Sequence, residues 1–197
     1  MTEKSNRQHQ VRSDDRDRAL VAGIAAQDRD AFSELYANYQ PRLFKFVFRL
    51  IQTYDVAEEL VNDVMLCVWR GADKYRGAAK VSTWIFGIAY RQTMRRVSKK
   101  SLSLVDDFDP DQISGADGPN IEQEDWVRAA IDSLPSLQRA AVILVFYAGL
   151  TYAEAATIAE CPVNTIKTRM FHARRRLKYV LEKKGQPKTI ANEKLHA

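Results

Sequence analysis

The stretch that decides the fold, residues 151–181, is TYAEAATIAECPVNTIKTRMFHARRRLKYVL. Thr151 with Glu154 three positions later is a capping-box pattern, which predicts the start of a short helix. The Cys161-Pro162 pair ends that helix in a turn, and a longer helix with one apolar face follows. The apolar face carries Val163, Ile166, Met170, Ala173, Leu177 and Val180. Two helices joined by so tight a turn predict a helix-turn-helix.

The opposite face of the longer helix is polar and basic. It collects Asn164, Thr165, Thr168, His172 and Arg175, and its flanks carry Lys167, Arg169, Arg174 and Arg176. A helix that enters the major groove of DNA contacts base edges near its N-terminus and phosphates with later cations. The pattern therefore favours a DNA-recognition helix. An ordinary amphipathic helix with a charged, solvated face is the alternative, which charge alone does not exclude.

Helical periodicity dominates the N-terminal half, and no segment shows the two-residue alternation of a strand. We expect a disordered tail to about residue 13, a short helix over 14–27, and a break between two helices at Pro41. The next helix should have Asp55 as its N-cap, with Glu58 completing a capping box.

The following elements have simple boundary signals. Gly71 should end the helix that Asp55 begins, and Ser82 or Thr83 should cap the helix after it. The C-terminal helices are expected at about 121–134, 136–148, 152–160 and 163–182.

These elements predict an all-α protein: two small helical domains joined by an acidic flexible linker, with a helix-turn-helix in the C-terminal one. Prolines, glycines and little periodic apolar content mark the linker. The expected divisions are a tail and short helix (1–27), a first domain (28–100), the linker (101–120), a second domain (121–184) and a final tail (185–197).

Charge alternates along the chain, whose net charge is +5. Nine Lys or Arg and one acid lie from Arg70 to Lys100, and eight basic residues and one acid from Cys161 to Gly185. Between these blocks, Ser101 to Asp125 holds eight Asp or Glu and no Lys or Arg. Two basic blocks around an acidic one are compatible with nucleic acid at both domains. Extended, the linker reaches roughly 65–70 Å, close to two turns of DNA.

Two segments of the first domain add specific chemistry. On the 55–70 helix, one side combines Glu58, Glu59 and Asn62 with Met65, Leu66 and Trp69. Apolar side chains beside carboxylates on an outward face suggest a protein interface, although Leu66 and Trp69 can equally pack under a neighbouring helix. The 74–96 segment mixes aromatic with basic residues, which suits single-stranded DNA, because bases stack on the rings and cations hold phosphate.

Other classes of protein find little support. There is no phosphate-binding glycine loop, metal-ligand cluster or nucleophile-base pair, so we expect no enzyme, no cofactor and no metal. The two cysteines lie far apart, which suits a reducing cytoplasm. The polar N-terminus is unlike a signal peptide, and the longest apolar run is too short to span a bilayer.

Several motifs resemble the extracytoplasmic-function (ECF) sigma factors of the sigma-70 family. In the C-terminal half they are Leu134-Pro-Ser-Leu-Gln-Arg139, Gly149-Leu-Thr-Tyr-Ala-Glu-Ala-Ala156, Thr165-Ile-Lys-Thr-Arg169 and Ala173-Arg174. In the N-terminal half they are Asp55-Val-Ala-Glu-Glu-Leu-Val-Asn-Asp63, Tyr75-Arg-Gly77 and Ser82-Thr-Trp-Ile-Phe-Gly-Ile-Ala89. The resemblance covers about residues 28–182. Both sets, in this order and at this spacing, imply a subunit that directs RNA polymerase to promoters.

The resemblance also implies a role for each segment. The first would bind core RNA polymerase at its clamp coiled coil, through Asp55, Glu58, Glu59, Asn62, Asp63, Leu66 and Trp69. The second would recognise and melt the minus-ten element, through Tyr75, Arg76, Lys80, Ser82, Thr83, Trp84, Arg91 and Arg95. The helix-turn-helix would bind the minus-thirty-five element, through Asn164, Thr165, Lys167, Thr168, Arg169, His172, Arg174, Arg175 and Arg176. Further implied partners are the polymerase flap and an anti-sigma factor.

Two positions depart from the family pattern. The family usually has glycine where this chain has Asn164, and arginine where it has His172. Three rival interpretations are less well supported. The acidic face of the 55–70 helix and the aromatic-basic segment argue against a helix-turn-helix regulator that binds duplex DNA without polymerase. An enzyme has no catalytic motif to support it, and a structural helical adaptor leaves the two basic blocks unexplained. Binding to core polymerase would distinguish the first of them.

Overall fold

The computed structural model describes residues 2–103 and 122–183, with the side chains of 14–98 and 127–182. Over these ranges the chain forms eight α-helices and no strand, as the sequence predicts. The helices are α1 (Thr2–Ala25), α2 (Arg29–Ile51), α3 (Tyr54–Gly71), α4 (Val81–Ser103), α5 (Glu122–Asp132), α6 (Ser136–Val142), α7 (Tyr152–Ile158) and α8 (Val163–Lys183). A 3-10 turn (Ala72–Lys74) follows α3, and a π-helical turn (Ile143–Tyr147) follows α6.

The N-terminal half is a bundle in which α2 packs against α1, α3 and α4. Apolar residues of α2 recur every three or four positions, so that one face enters the core. Leu35, Leu43 and Phe46 on that face are fully buried. Phe86 of α4 meets Phe46 edge-on, with ring centroids 5.5 Å apart. This bundle holds the 75–80 loop and the outward face of α3 in fixed positions.

Pro41 does not divide α2, and the predicted break is wrong. A proline inside a helix removes one N–H donor and crowds the carbonyl four residues earlier, here that of Ala37. Both residues are exposed, so water can satisfy that carbonyl. Tyr39 and Leu43 are buried on either side of the proline, and their packing keeps the helix continuous.

The predicted N-caps of α3 and α4 are also wrong. Thr53, not Asp55, precedes α3, and no side chain caps it. Helix α4 already begins at Val81, so Ser82 and Thr83 lie inside its first turn. The stop at Gly71 is confirmed.

The N-terminal helix is longer than expected. Instead of a tail to about residue 13, α1 begins at Thr2. Residues 2–13 contain neither proline nor glycine to interrupt a helix. Among the described side chains of α1, Val21 and Ile24 are buried against the bundle.

The C-terminal half confirms the helix-turn-helix. Thr151 Oγ1 accepts a hydrogen bond from Glu154 N at 3.2 Å, and Glu154 Oε2 accepts from Thr151 N at 2.8 Å, which completes the predicted capping box of α7. Gly149, with a φ of 70°, turns the chain into this helix. The Arg139 guanidinium donates to the carbonyls of Asp132 and Leu134 and so ties α6 to the end of α5.

The two halves share one continuous hydrophobic core. Helix α4 packs against α7, and α2 against the π-helical turn. Most of the predicted linker lies outside the described residues, as do the final tail and the acids of the linker.

Candidate nucleic-acid and protein interfaces

Helix α8 has one buried face, formed by Ile166, Met170 and Ala173, each at most 1% exposed. The turn before it is tight: Glu160 has a φ of 50°, and Cys161 N donates to Ala156 O at 3.1 Å. The helix thereby projects its other side into solvent. That side exposes Asn164, Lys167, Thr168, His172, Arg175 and Arg176.

Three of the predicted minus-thirty-five residues are half-buried instead, namely Thr165, Arg169 and Arg174. Arg174 Nη2 donates to Tyr152 Oη at 3.1 Å, and Arg169 Nη1 lies 3.8 Å from Cys161 Sγ. These contacts brace α8 against α7 and the turn. The two arginines therefore stabilise the helix-turn-helix, a role that the sequence pattern does not indicate.

Phe171 is a residue that the sequence reasoning missed. Its side chain is 61% exposed on the outward side of α8, where its ring centroid lies 5.5 Å from that of His172. At 100° per residue it falls between Lys167 and Arg175 on the helical wheel, at one side of the polar face and well away from the apolar stripe. That wheel position was the available signal, because a phenylalanine away from the apolar stripe is not part of the core.

The 75–80 loop is closed by its own contacts. Tyr75 Oη donates to Ala79 O at 2.6 Å, and the Tyr75 ring lies 4.9 Å from that of Trp84. Both rings are half-buried, and Arg76 beside them is exposed. The loop thus offers a paired aromatic surface next to a free guanidinium.

The other predicted minus-ten residues are spread along α4. Lys80 and Ser82 are half-buried, whereas Arg91 and Arg95 are exposed about two and three turns after Trp84. Thr83 is only 4% exposed and lies in the core, away from the rest. Burial prevents it from contacting DNA in this arrangement.

The first turn of α4 is supported by α1. Asp14 Oδ1 accepts from Val81 N at 3.1 Å, and Arg18 Nη1 donates to Gly77 O at 3.4 Å. Neither residue was a predicted site residue. They are separated from their loop partners by 67 and 59 positions, so no local pattern could have indicated them.

Helix α3 presents the predicted acidic face. Asp55, Glu58, Glu59, Asn62 and Asp63 are exposed, and so is Leu66. Leu66 is 42% exposed, which resolves the alternative that it packs under a neighbouring helix. Trp69 is half-buried, with its ring edge-on to Phe32 at 5.2 Å, and Met65 is buried.

Salt bridges connect the two halves across α4 and α7. Lys80 Nζ lies 2.9 Å from Glu154 Oε1, and Arg91 Nη1 lies 3.9 Å from Glu160 Oε1. Burial opposes the ionisation of Glu154, but the hydrogen bonds from Thr151 and Lys80 keep the pKa of Glu154 below its ordinary value. Two residues assigned to minus-ten DNA are thus paired with carboxylates of the helix-turn-helix.

A groove of about 480 Å³ opens beside the Arg91–Glu160 salt bridge, between α4 and the end of α7. It is lined mainly by apolar atoms, with Tyr90, Met94 and Ile158 on its walls and Arg91, Arg95 and Glu160 at its polar edge. Exposed apolar side chains also occur on the other side of the C-terminal half, at Val127, Leu137 and Phe146.

The described residues contain neither a membrane-spanning helix nor a metal-binding cluster. None of their helices has the length and apolar character needed to cross a bilayer. Nor do they bring together three His, Cys, Asp or Glu side chains that could hold a metal ion.

The described residues form an all-helical protein with a helix-turn-helix in its C-terminal half. Its sequence matches two family descriptions, Sigma-70 region 2 over residues 35–102 and Sigma-70, region 4 over residues 124–177. The region 4 match contains α7 and the larger part of α8, which continues beyond the match to Lys183. The region 2 match contains α3, the 75–80 loop and nearly all of α4.

Curated relatives carry the same assignment. The ECF RNA polymerase sigma factor RpoE of Cereibacter sphaeroides is 34% identical over 187 residues, which cover 90% of this chain and 98% of that protein. The ECF sigma factor SigK of Mycolicibacterium vanbaalenii is 30% identical, over 77% of this chain and 82% of its own length. This chain belongs to the ECF RNA polymerase sigma factors, and its role is in promoter-directed initiation of transcription.

Solved structures agree on the fold. CnrH, in complex with the cytosolic domain of CnrY, superimposes with a TM-score of 0.65 at 19% identity, over 85% of this chain and 98% of that one. The sigma factor RpoE of Bartonella quintana, in complex with the anti-sigma factor NepR, gives a TM-score of 0.63 at 27% identity, over 77% and 96%.

Proposed function

We propose that this sigma factor contacts a promoter at two elements, through the outward face of α8 and through the 75–80 loop with α4. The observation that carries the proposal is the exposed face of α8, where Asn164, Lys167 and Thr168 precede Arg175 and Arg176. Amide and basic side chains in the first turns of a helix suit base edges in the major groove, and later arginines suit phosphates. This face would bind the minus-thirty-five element.

The 75–80 loop would bind the minus-ten element as it melts. An unpaired base needs an aromatic surface to replace the stacking that it loses in the duplex. The rings of Tyr75 and Trp84 supply one, and Arg76, Arg91 and Arg95 supply cations for the strand's phosphates. Lys80 would join them after its salt bridge with Glu154 breaks.

Helix α3 would bind core RNA polymerase at the clamp coiled coil. Its exposed carboxylates precede Leu66 along the same helix, and an exposed apolar side chain beside charged ones is typical of a protein interface. Val127, Leu137 and Phe146 give the C-terminal half a separate apolar surface for the flap. The groove between α4 and α7 would accept an anti-sigma segment, by analogy with the relative that is solved with NepR.

The test of this function is transcription in vitro with core polymerase and a library of random promoters. The active templates should share two elements about two turns apart, roughly 70 Å. Templates with one shared element, or with none, would contradict the two-site proposal.

The polymerase surface has its own test. Glu59→Lys should weaken binding to core polymerase while the helical content stays the same. Asp15→Lys, the same exchange at an exposed acid of α1, serves as the control. Equal affinities for core polymerase would show that α3 is not the interface.

A further inference from the structure

Helix α4 takes its N-terminal cap from another helix. The first N–H groups of a helix have no partner within it, and a side chain usually satisfies them from just before the helix. Here Asp14 of α1 does so, because its Oδ1 accepts from Val81 N, the first residue of α4, at 3.1 Å. The donor and the acceptor are 67 positions apart in the chain.

A second side chain of α1 contacts the loop itself. Arg18 Nε pairs with Asp14 Oδ2 at 2.9 Å, and Arg18 Nη1 donates to Gly77 O at 3.4 Å. Gly77 has a φ of 69°, which disfavours other residues, and a Cβ placed there would lie 2.7 Å from Arg18 Nη1. Together Asp14 and Arg18 hold both ends of the segment 77–81.

The two side chains project from a firmly held part of α1. Val21 and Ile24 are buried against the bundle. Tyr39 Oη of α2 donates to Asp17 Oδ2 at 2.5 Å, in a buried bond one residue from Arg18. The carboxylate and the guanidinium therefore reach the loop from a rigid element and hold it in one conformation.

We propose that Asp14 and Arg18 are positioning residues for minus-ten recognition, which fix the 75–80 loop in the conformation that receives single-stranded DNA. The inference rests on the proposed function of that loop. A loop ordered before binding loses less conformational entropy when the strand arrives, so it binds more tightly than a mobile one. Neither residue needs to touch the DNA.

The experiment compares full-length variants in holoenzyme with core polymerase. The probe is a fork DNA whose minus-ten strand is single-stranded and carries 2-aminopurine, a fluorescent base. Asp14→Ala should lower the affinity for the fork by about 2- to 30-fold, the range that corresponds to the loss of an N-cap. Asp14→Asn keeps a capping oxygen and should retain most of the wild-type affinity. If Asp14 acted only through its negative charge, Asp14→Asn would lose as much affinity as Asp14→Ala.

Arg16→Ala is the matched control. Arg16 also lies on α1, and its salt bridge with Glu34 of α2, at 2.6 Å, is exposed and distant from the loop contacts. It should leave the fork affinity unchanged, and all three variants should keep the wild-type affinity for core polymerase. If Asp14→Ala should fail to assemble into holoenzyme, Arg18→Gln tests the loop contact with the cap intact.

The outcomes separate the inference from the function on which it rests. Arg76→Ala should weaken fork binding if the loop binds the strand. A loss with Arg76→Ala but none with Asp14→Ala or Arg18→Gln would overturn the positioning role alone. No loss with any of them would overturn the loop's function as well.

Discussion

Phe171 places an aromatic ring on the solvent side of α8, among the residues proposed to contact bases. In the major groove, an apolar side chain can contact the 5-methyl group of thymine. We therefore expect Phe171→Ala to weaken binding to a promoter with a thymine at that position by about 1–3 kcal/mol. The measurement is promoter affinity with thymine and with uracil, which lacks the methyl group.

The losses of affinity caused by Phe171→Ala and by the thymine-to-uracil exchange should not add. Uracil should weaken the wild-type protein and have no further effect on Phe171→Ala, because the methyl contact is already lost. An equal loss from uracil in both proteins, at every thymine of the upstream element, would show that Phe171 contacts no methyl group.

Arg175 and Arg174 differ although they are adjacent. Arg175 is exposed, whereas Arg174 donates to the Tyr152 hydroxyl. Arg175→Ala should therefore weaken binding to all DNA sequences and make the salt dependence shallower by about one unit of slope. Asn164→Ala should instead weaken binding only to DNA that carries the matching upstream element. Equal losses on matching and scrambled DNA for both variants would reduce α8 to a basic surface without sequence preference.

Helix α1 is attached to α2 by a buried pair that depends on pH. Burial raises the pKa of Asp17 above 3.8, the ordinary value, and it also raises that of its partner Tyr39. The folded protein thus holds the Asp17 proton more tightly than the unfolded chain does. The stabilisation is complete below about pH 3.8 and is lost as the pH rises through the raised pKa.

Asp17→Asn should remove this pH dependence. The stability of the variant relative to wild type should rise between about pH 3.5 and pH 7, by about 1.4 kcal/mol for each unit by which burial raises the pKa. Thermal unfolding of both proteins over this range gives the difference. If the stability of Asp17→Asn relative to wild type stays constant, or falls as the pH rises, the pKa of Asp17 is not raised in the folded protein.

The elements show what the sequence could predict. The helix-turn-helix and its capping box were predictable because Thr151 and Glu154 are three residues apart, and the apolar face of α8 follows the helical period. The continuation of α2 through Pro41 was not predictable, because the burial of Tyr39 and Leu43 outweighs the tendency of proline to end a helix. The cap of α4 was not either, because Asp14 reaches Val81 only after the chain has folded.

At the scale of the whole molecule, the two halves pack against each other, whereas the two proposed promoter elements are about 70 Å apart. Helix α7 lies on α4, with Glu154 and Glu160 paired to Lys80 and Arg91. Under the proposed function, DNA phosphates would have to replace these carboxylates as partners of Lys80 and Arg91. We therefore expect the two halves to separate when the protein binds core polymerase.

Single-molecule energy transfer measures this separation, with one dye on α3, one on α8, and both cysteines replaced by serine. Free protein should give high transfer, and holoenzyme low transfer. Glu160→Lys, which sets a like charge beside Arg91, should increase the open fraction of the free protein and lower its sensitivity to salt. The same distance in the free and bound protein would show that the halves do not separate.

The attachment of α1 has a practical consequence for anyone who trims this chain. The region 2 match begins at residue 35, so a fragment designed from family boundaries would omit α1. Such a fragment loses Val21 and Ile24 from the core and Asp14 from the first turn of α4. A failure of such a fragment to open promoters would then be attributed to the residues that it keeps and not to the contacts that it lacks. Recombinant versions should start at or before residue 14 and carry purification tags at the other end.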